Sequence, residues 1–352
     1  MPPQQNPNGF VSITMKKTAL SLLILLLLAG CGKKKNSPDV SGIKVNIPIE
    51  RFDRSFFAMD INQPEASLLR LQQQHPDFYS DFMQQILGVS GDVRDTSTLL
   101  VTEQFYRGYA PVYDSIKENF NELGWLRKEL EQGFKYVKHY FPNYKTGKAV
   151  LFLGPFDAPG VATAGAGLAI GLQQFAGADF SIYQLPQMQE MFPLYISRRF
   201  APPYITANCM KAVVQELFPD QAAGKPLVEQ MIEKGKQWWL LNRFLPDAPD
   251  SVKTGYTQQQ IDWCTENEGL IWAEIVRNED LNSLVPAVIQ TYIGEAPFTQ
   301  GFPQEYSPGN IGQWLGWQIL KKYELKNPGL SPEEIMKTPA RKILEEAKYK
   351  PK

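Results

Sequence analysis

The chain has 352 residues, 36 basic and 37 acidic, for a formal charge of −1. So even a balance lacks the cationic excess of a nucleic-acid binder, and no nucleic-acid partner is expected. With 43% apolar residues the bulk of the chain can bury a large core, which excludes disorder.

The N-terminal region reads as targeting rather than fold. Met15-Lys16-Lys17 is a positive n-region, 19–28 is an apolar core, and Leu28-Ala29-Gly30-Cys31 sets small residues before a cysteine. That is a lipobox. The apolar run is shorter than the ~20 residues a spanning helix needs. Translation is expected to begin at Met15. On the resemblance to bacterial lipoproteins, cleavage falls before Cys31, which then carries a thioether-linked diacylglycerol and an amide-linked acyl chain. More than one chain makes a durable membrane anchor. This divides the sequence into an upstream extension and cleaved signal peptide (1–30), a lipidated cysteine and tether (31–44), and one large domain (45–352). Lys33-Lys34-Lys35 in the tether reads as a solvated spacer near the headgroups. The expected location is the cell envelope, outside the cytoplasm, on an inner or outer membrane.

Val45-Asn46-Ile47-Pro48-Ile49 alternates like a strand and leads into Arg51-Phe52-Asp53-Arg54. Asn62, ahead of Pro64 and Glu65, marks a helix start, and Pro76 after His75 marks its stop. Helices are predicted over 77–87, 98–120 and 124–140, the last with Leu126, Leu130, Phe134 and Val137 on one face. Segment 148–153 reads as a buried strand and 165–172 as a glycine-punctuated apolar run, together a small sheet. Helices over 204–218, 226–244, 258–277 and 281–293 follow, with Pro- and Gly-rich loops at 245–255 and 296–310. In the helix around Trp314 and Trp317, Gly312 and Gly316 would permit close backbone approach. Ser331-Pro332-Glu333-Glu334 is a capped helix start. The expected class is α+β, predominantly helical around a small sheet: helical over 45–145, sheet over 146–200, helical over 201–352.

Familiar catalytic motifs are missing. His75 and His139 both sit at helix ends before a proline, where capping or surface roles fit better than metal binding. Neither a His-Glu-x-x-His nor a Cys-x-x-Cys spacing occurs, so no metal site is expected. The glycines at 165–171 have the wrong spacing for a dinucleotide loop, and Gly224-Lys225 is followed by Pro226 where a phosphate loop needs a hydroxyl. There is no Gly-x-Ser-x-Gly elbow. Cys209 and Cys264 fall in predicted helices, in a compartment that permits disulfides; a bond between them and two buried free thiols both remain open. Trp238-Trp239 and the aromatic loop at 296–310 could mark a partner surface, although helical aromatic pairs ordinarily belong to a core.

Three segments are distinctive together: Trp263-Cys264-Thr265-Glu266-Asn267-Glu268-Gly269-Leu270-Ile271-Trp272, Tyr306-Ser307-Pro308-Gly309-Asn310-Ile311-Gly312-Gln313-Trp314-Leu315-Gly316-Trp317, and the closing Lys348-Tyr349-Lys350-Pro351. With the lipobox and Arg51-Phe52-Asp53 they resemble the GldB family of gliding-motility lipoproteins of Bacteroidota, over essentially the whole mature chain. The resemblance implies a membrane lipoprotein tied to machinery linked to type IX secretion, with envelope, motility or secretion proteins as partners. It implies no known reaction and no cofactor beyond the covalent lipid on Cys31.

A second resemblance runs to zinc-peptidase-like (zincin) proteins, in which a His-Glu-x-x-His helix precedes a helix bearing a third ligand. Glu268-Gly269-Leu270 matches the latter, and Asn208-Cys209-Met210-Lys211-Ala212 stands in place of the former. This implies a degenerate zincin-like fold with a remnant cleft at Asn208, Cys209, Ala212 and Glu268. One carboxylate cannot hold catalytic zinc, which takes three protein ligands. Cys264 and Glu268, four apart, would share one helical face. The favoured reading is a non-enzymatic scaffold or accessory protein. A ligand- or peptide-binding module, built on the 160–171 loop and the helix from Tyr204 with an apolar pocket near Glu268, is the runner-up, and a carboxylate-dependent envelope hydrolase a further alternative.

Overall fold

In the computed structural model, which describes Met1 and residues 37–278 and 281–351, β-structure is confined to four short strands. These are β1 (Ile49–Arg51), β2 (Lys148–Phe152), β3 (Val161–Ala164) and β4 (Gly167–Gly171). They lie in the order β1-β2-β4-β3. The first three in that order are parallel, while β3 runs antiparallel beside β4 and forms an edge. The strand expected from Val45 starts later because Pro48 has no N–H to donate. Its carbonyl still accepts from Ala149 N–H at 2.9 Å, and regular pairing begins at Ile49.

Alternation along β2 divides the interior. Ala149 and Leu151 face a large core with Leu168 and Ile170 of β4, whereas Val150 and Phe152 face a second core of Phe52, Phe56, Phe78, Phe82 and Phe105. Successive side chains point to opposite faces, so a strand buried on both sides must be apolar at every position. The second core is built from α1 (Phe52–Phe57), α2 (Pro64–Gln74), a helical turn continuing as a π-turn (Phe82–Ile86), and α3 (Thr96–Ile116). α2 is capped by Gln63 rather than Asn62, with no side-chain cap, and begins at Pro64. His75 closes α2. It is buried rather than on the surface, its Nδ1 lying 2.5 Å from Glu50 Oε1.

The larger core takes α4 (Gly124–Tyr140), α5 (Ile205–Leu217), α6 (Leu227–Phe244) and, after the short α7 (Asp250–Thr254) that adds no apolar side chain to it, α8 (Gln258–Glu266), α9 (Glu268–Asn278), α10 (Pro286–Ile293), α11 (Ile311–Lys326), α12 (Pro332–Lys337) and α13 (Ala340–Ala347). Trp238 and Trp239 belong to it and are buried. Two predicted helices are altered. The one expected over 258–277 breaks at Asn267, whose side chain donates back to Trp263 O at 2.9 Å, so Cys264 and Glu268 stand on different helices. The one expected over 281–293 starts only at Pro286. Leu281 and Ser283 instead offer carbonyls to the free N–H groups of Val228 and Leu227 that open α6. At Ser331 the predicted capping box forms.

The closest packing is between α6 and α11. A Cβ on Gly316 would fall 1.8 Å from Met231 O, and one on Gly235 would fall 2.3 Å from the carbonyl carbon of Gly316. Backbone therefore rests on backbone where the two helices cross. Gly316→Ala must separate them, and since overpacking ordinarily costs 1–3 kcal/mol with more where backbone must move, a loss of about 3 kcal/mol or more is expected. Urea denaturation checks this; an unchanged midpoint would contradict the crossing.

Candidate functional site

Helix α5 buries Ile205, Cys209, Met210, Val213 and Val214, which leaves Asn208, Lys211, Ala212 and Gln215 on its other face. That face lines a cavity of about 350 Å³ whose opposite wall is Gly160, Val161, Gln174 and Arg199. A Cβ on Gly160 would fall 2.4 Å from Gln174 Oε1, so any side chain there would displace the end of Gln174 from this wall. A second cavity of about 220 Å³ shares Arg199, Lys211 and Gln215 with the first and adds Asp220, Lys234, Gln237, Glu295, Asn310 and Gln313. The two form one polar cleft with Lys211 between its lobes.

The second lobe is shaped by the crossing of α6 and α11. Asn310 precedes α11 in the left-handed conformation (φ 58°). Its Nδ2 donates to Gln313 Oε1 at 2.7 Å, and Gln313 Nε2 donates to Lys234 O at 3.0 Å, which ties the two helices together. Asn310 Oδ1 and Gln237 Oε1 are buried acceptors with no donor among the described residues.

Charges in the cleft are unevenly matched. Arg199 pairs with Glu295 at 3.3 Å and Lys234 with Asp220 at 2.5 Å. Arg198 is spent on Gly255 O and Gln260 Oε1. Lys211 has no hydrogen bond or ion pair among the described residues. Removal from water lowers its pKa to about 8, Arg199 pushes it the same way, and Glu295 opposes them.

The sequence candidates are distributed unevenly over this geometry. Asn208 and Ala212 line the cleft. Cys209 lies on the opposite face of α5, fully buried, and burial pushes its thiol pKa well up. Cys264 is likewise a buried free thiol, so no disulfide joins them. Glu268 is not among the residues lining the cleft. It accepts the Tyr349 hydroxyl at 2.5 Å, and the Tyr349 ring stands edge-on to Trp272 at 5.1 Å. Glu268 thus fastens the closing Lys348-Tyr349-Lys350 segment to α9. Cys31 lies outside the described residues.

Sequence reasoning assigned no site role to Lys211, Arg199, Glu295 or Asn310, although it quoted Lys211 and Asn310 within longer motifs. A signal existed for Lys211: it falls three after Asn208 and four before Gln215, on the polar face of a helix otherwise apolar in composition. Among the described residues no three of His, Cys, Asp or Glu converge as metal ligands. No described helix is long and apolar enough to cross a membrane.

Among the described residues the architecture is thus that of a mainly helical α+β protein with one mixed sheet and a basic-centred cleft. The model of the family described as gliding motility protein GldB matches residues 33–351. The chain therefore belongs to that lipoprotein family, which associates it with the cell envelope and with gliding motility. No curated protein and no solved structure matches it.

Two substitutions test the site. Lys211→Met removes a desolvated charge without a counterion and is expected to stabilise the fold at pH 7. Since the folded-state pKa lies below the ordinary lysine value, the penalty is full below about pH 8 and fades as pH rises toward the unfolded pKa. The gain in Tm should shrink accordingly; a gain that grows with pH would refute the assignment. Tyr349→Phe strips Glu268 of its donor and should cost about 2 kcal/mol by urea unfolding, the scale of a hydrogen bond to a charged acceptor.

Proposed function

We propose that this lipoprotein is a non-catalytic accessory subunit of the envelope machinery for gliding and type IX secretion, lipid-anchored through Cys31 and holding a partner protein in the cleft around Lys211. The observation that carries the reading is the character of the cleft. Its lining suits binding: an ammonium without an ion-pair partner among the described residues, two ion pairs (Arg199–Glu295 and Lys234–Asp220) and several amides. Where a peptidase-like helix would present ligands and a base stand Asn208 and Ala212, which do not titrate, and Cys209, which faces the core. Membership in the motility family supplies the context.

A carboxylate-dependent hydrolase has less support. It needs one acid with a raised pKa beside a second that stays ionised. The cleft acids Glu295 and Asp220 are each ion-paired. Burial pushes Asp220 upward, yet the hydrogen bonds from Lys234 and Ala222 hold it below the ordinary value.

The test is affinity purification of the intact lipoprotein from gently solubilised membranes, beside Cys31→Ala, with mass spectrometry of partners and metal analysis. Motility or secretion subunits recovered with the anchored form alone, and loss of gliding in the Cys31→Ala strain, are expected. Stoichiometric zinc without partners would overturn the reading in favour of an enzyme.

A further inference from the structure

The sheet edge beside the cleft has a definite polarity. Gly171 N–H bonds Gly160 O at 2.8 Å, and the register pairs Ala162 with Ala169 and Ala164 with Gly167. In an antiparallel pair, inward-bonding residues alternate with outward ones. Ala162 and Ala164 therefore bond toward β4, and the N–H and C=O groups of Val161 and Thr163 point away from the sheet. No described residue pairs with them, and Val161 lines the cleft.

We infer that the cleft takes an extended peptide bearing a carboxylate, its backbone pairing with the free edge of β3 and its carboxylate meeting Lys211. This rests on the binding-subunit reading above. A peptide backbone is the chemistry that offers donors and acceptors at strand spacing to such an edge. Lys211 is the cleft cation left over once Arg199 and Lys234 have taken Glu295 and Asp220, so a carboxylate completes the set through a charge-assisted hydrogen bond. Beyond it the second lobe adds the amide side chains of Gln237, Asn310 and Gln313 to its lining. Peptide amides offer both donors and acceptors to such amide side chains, whereas a bare inorganic anion offers only acceptors. The carboxylate belongs to the peptide's C-terminus or to an Asp or Glu side chain, and the experiment separates these sources.

Random octapeptide pools are passed over the immobilised full-length protein and the bound peptides counted by mass spectrometry. Three pools are used: free C-termini without Asp or Glu, amidated C-termini with Asp and Glu, and amidated without either. Retention of the first or second at least about tenfold above the third is expected, and which one is retained identifies the carboxylate. Lys211→Gln should abolish that preference. Thr163→Pro, which removes an outward N–H and no ladder bond, should weaken retention about tenfold while leaving Tm unchanged. Equal retention of all pools, retention of none, or a preference that survives Lys211→Gln overturns the inference, as does tighter binding of inorganic phosphate than of any peptide. Partners that still co-purify with the Lys211→Gln lipoprotein would overturn the cleft assignment alone and leave the accessory role standing; cleft binding without envelope partners would do the reverse.

Discussion

Everything around the cleft depends on two helices touching without side chains between them. Gly235 and Gly316 let α6 and α11 cross with backbone against backbone. At that separation Gln313 reaches Lys234 O, Trp238 meets Trp317 edge to face at 6.2 Å, and Asn310 sits at the cleft wall. A methyl group at the crossing would move Lys234 and Gln237 relative to Asn310 and Gln313, and with them one lobe of the cleft. Core packing and site geometry are here one constraint, because close-packed interiors transmit displacement instead of absorbing it.

The sheet plays the complementary part. Its two central strands are committed on both faces to separate cores, which makes them a rigid plate, and its polar function is relegated to the edge strand β3. Short and half-exposed, β3 is the strand that contributes a residue, Val161, to the described cleft lining. Rigidity behind and unpaired polarity in front is the arrangement that lets a binding site avoid the entropic cost of ordering itself.

Local signals were the legible ones. Helix α4 begins and ends where its apolar period does, and the Ser331 box forms because its bonds lie within four residues. The glycines of α11 could be recognised as approach points, although not which helix would approach. Parallel strand order could not be read, since β1 finds its partner about a hundred residues away and nothing in Ile49-Glu50-Arg51 names it. The break at Asn267 was hidden because an amide that bonds back to Trp263 resembles an ordinary helical residue in sequence. Lys211 was given no role for a related reason: a helical lysine is normally solvated, and nothing in the sequence of α5 shows that burial in the folded chain takes water from this one or that Arg199 and Glu295 stand beside it. Glu268 drew notice as part of a resemblance, yet its contact is with Tyr349, itself in a segment that drew notice separately.

That contact bears on how the chain is made. The Glu268–Tyr349 bond spans 81 residues and ends three residues from the C-terminus. At the other end β1 must wait for β2. Non-local pairings of this kind close late, because loop entropy must be overcome before any contact rewards it. A chain that emerges N-terminus first thus exposes the phenylalanines of its smaller core, Phe52, Phe56, Phe78 and Phe82, before the strand that covers them exists. The interval between synthesis of this segment and its closure by β2 is therefore the period of greatest aggregation hazard, and it gives a holdase chaperone a defined segment to protect.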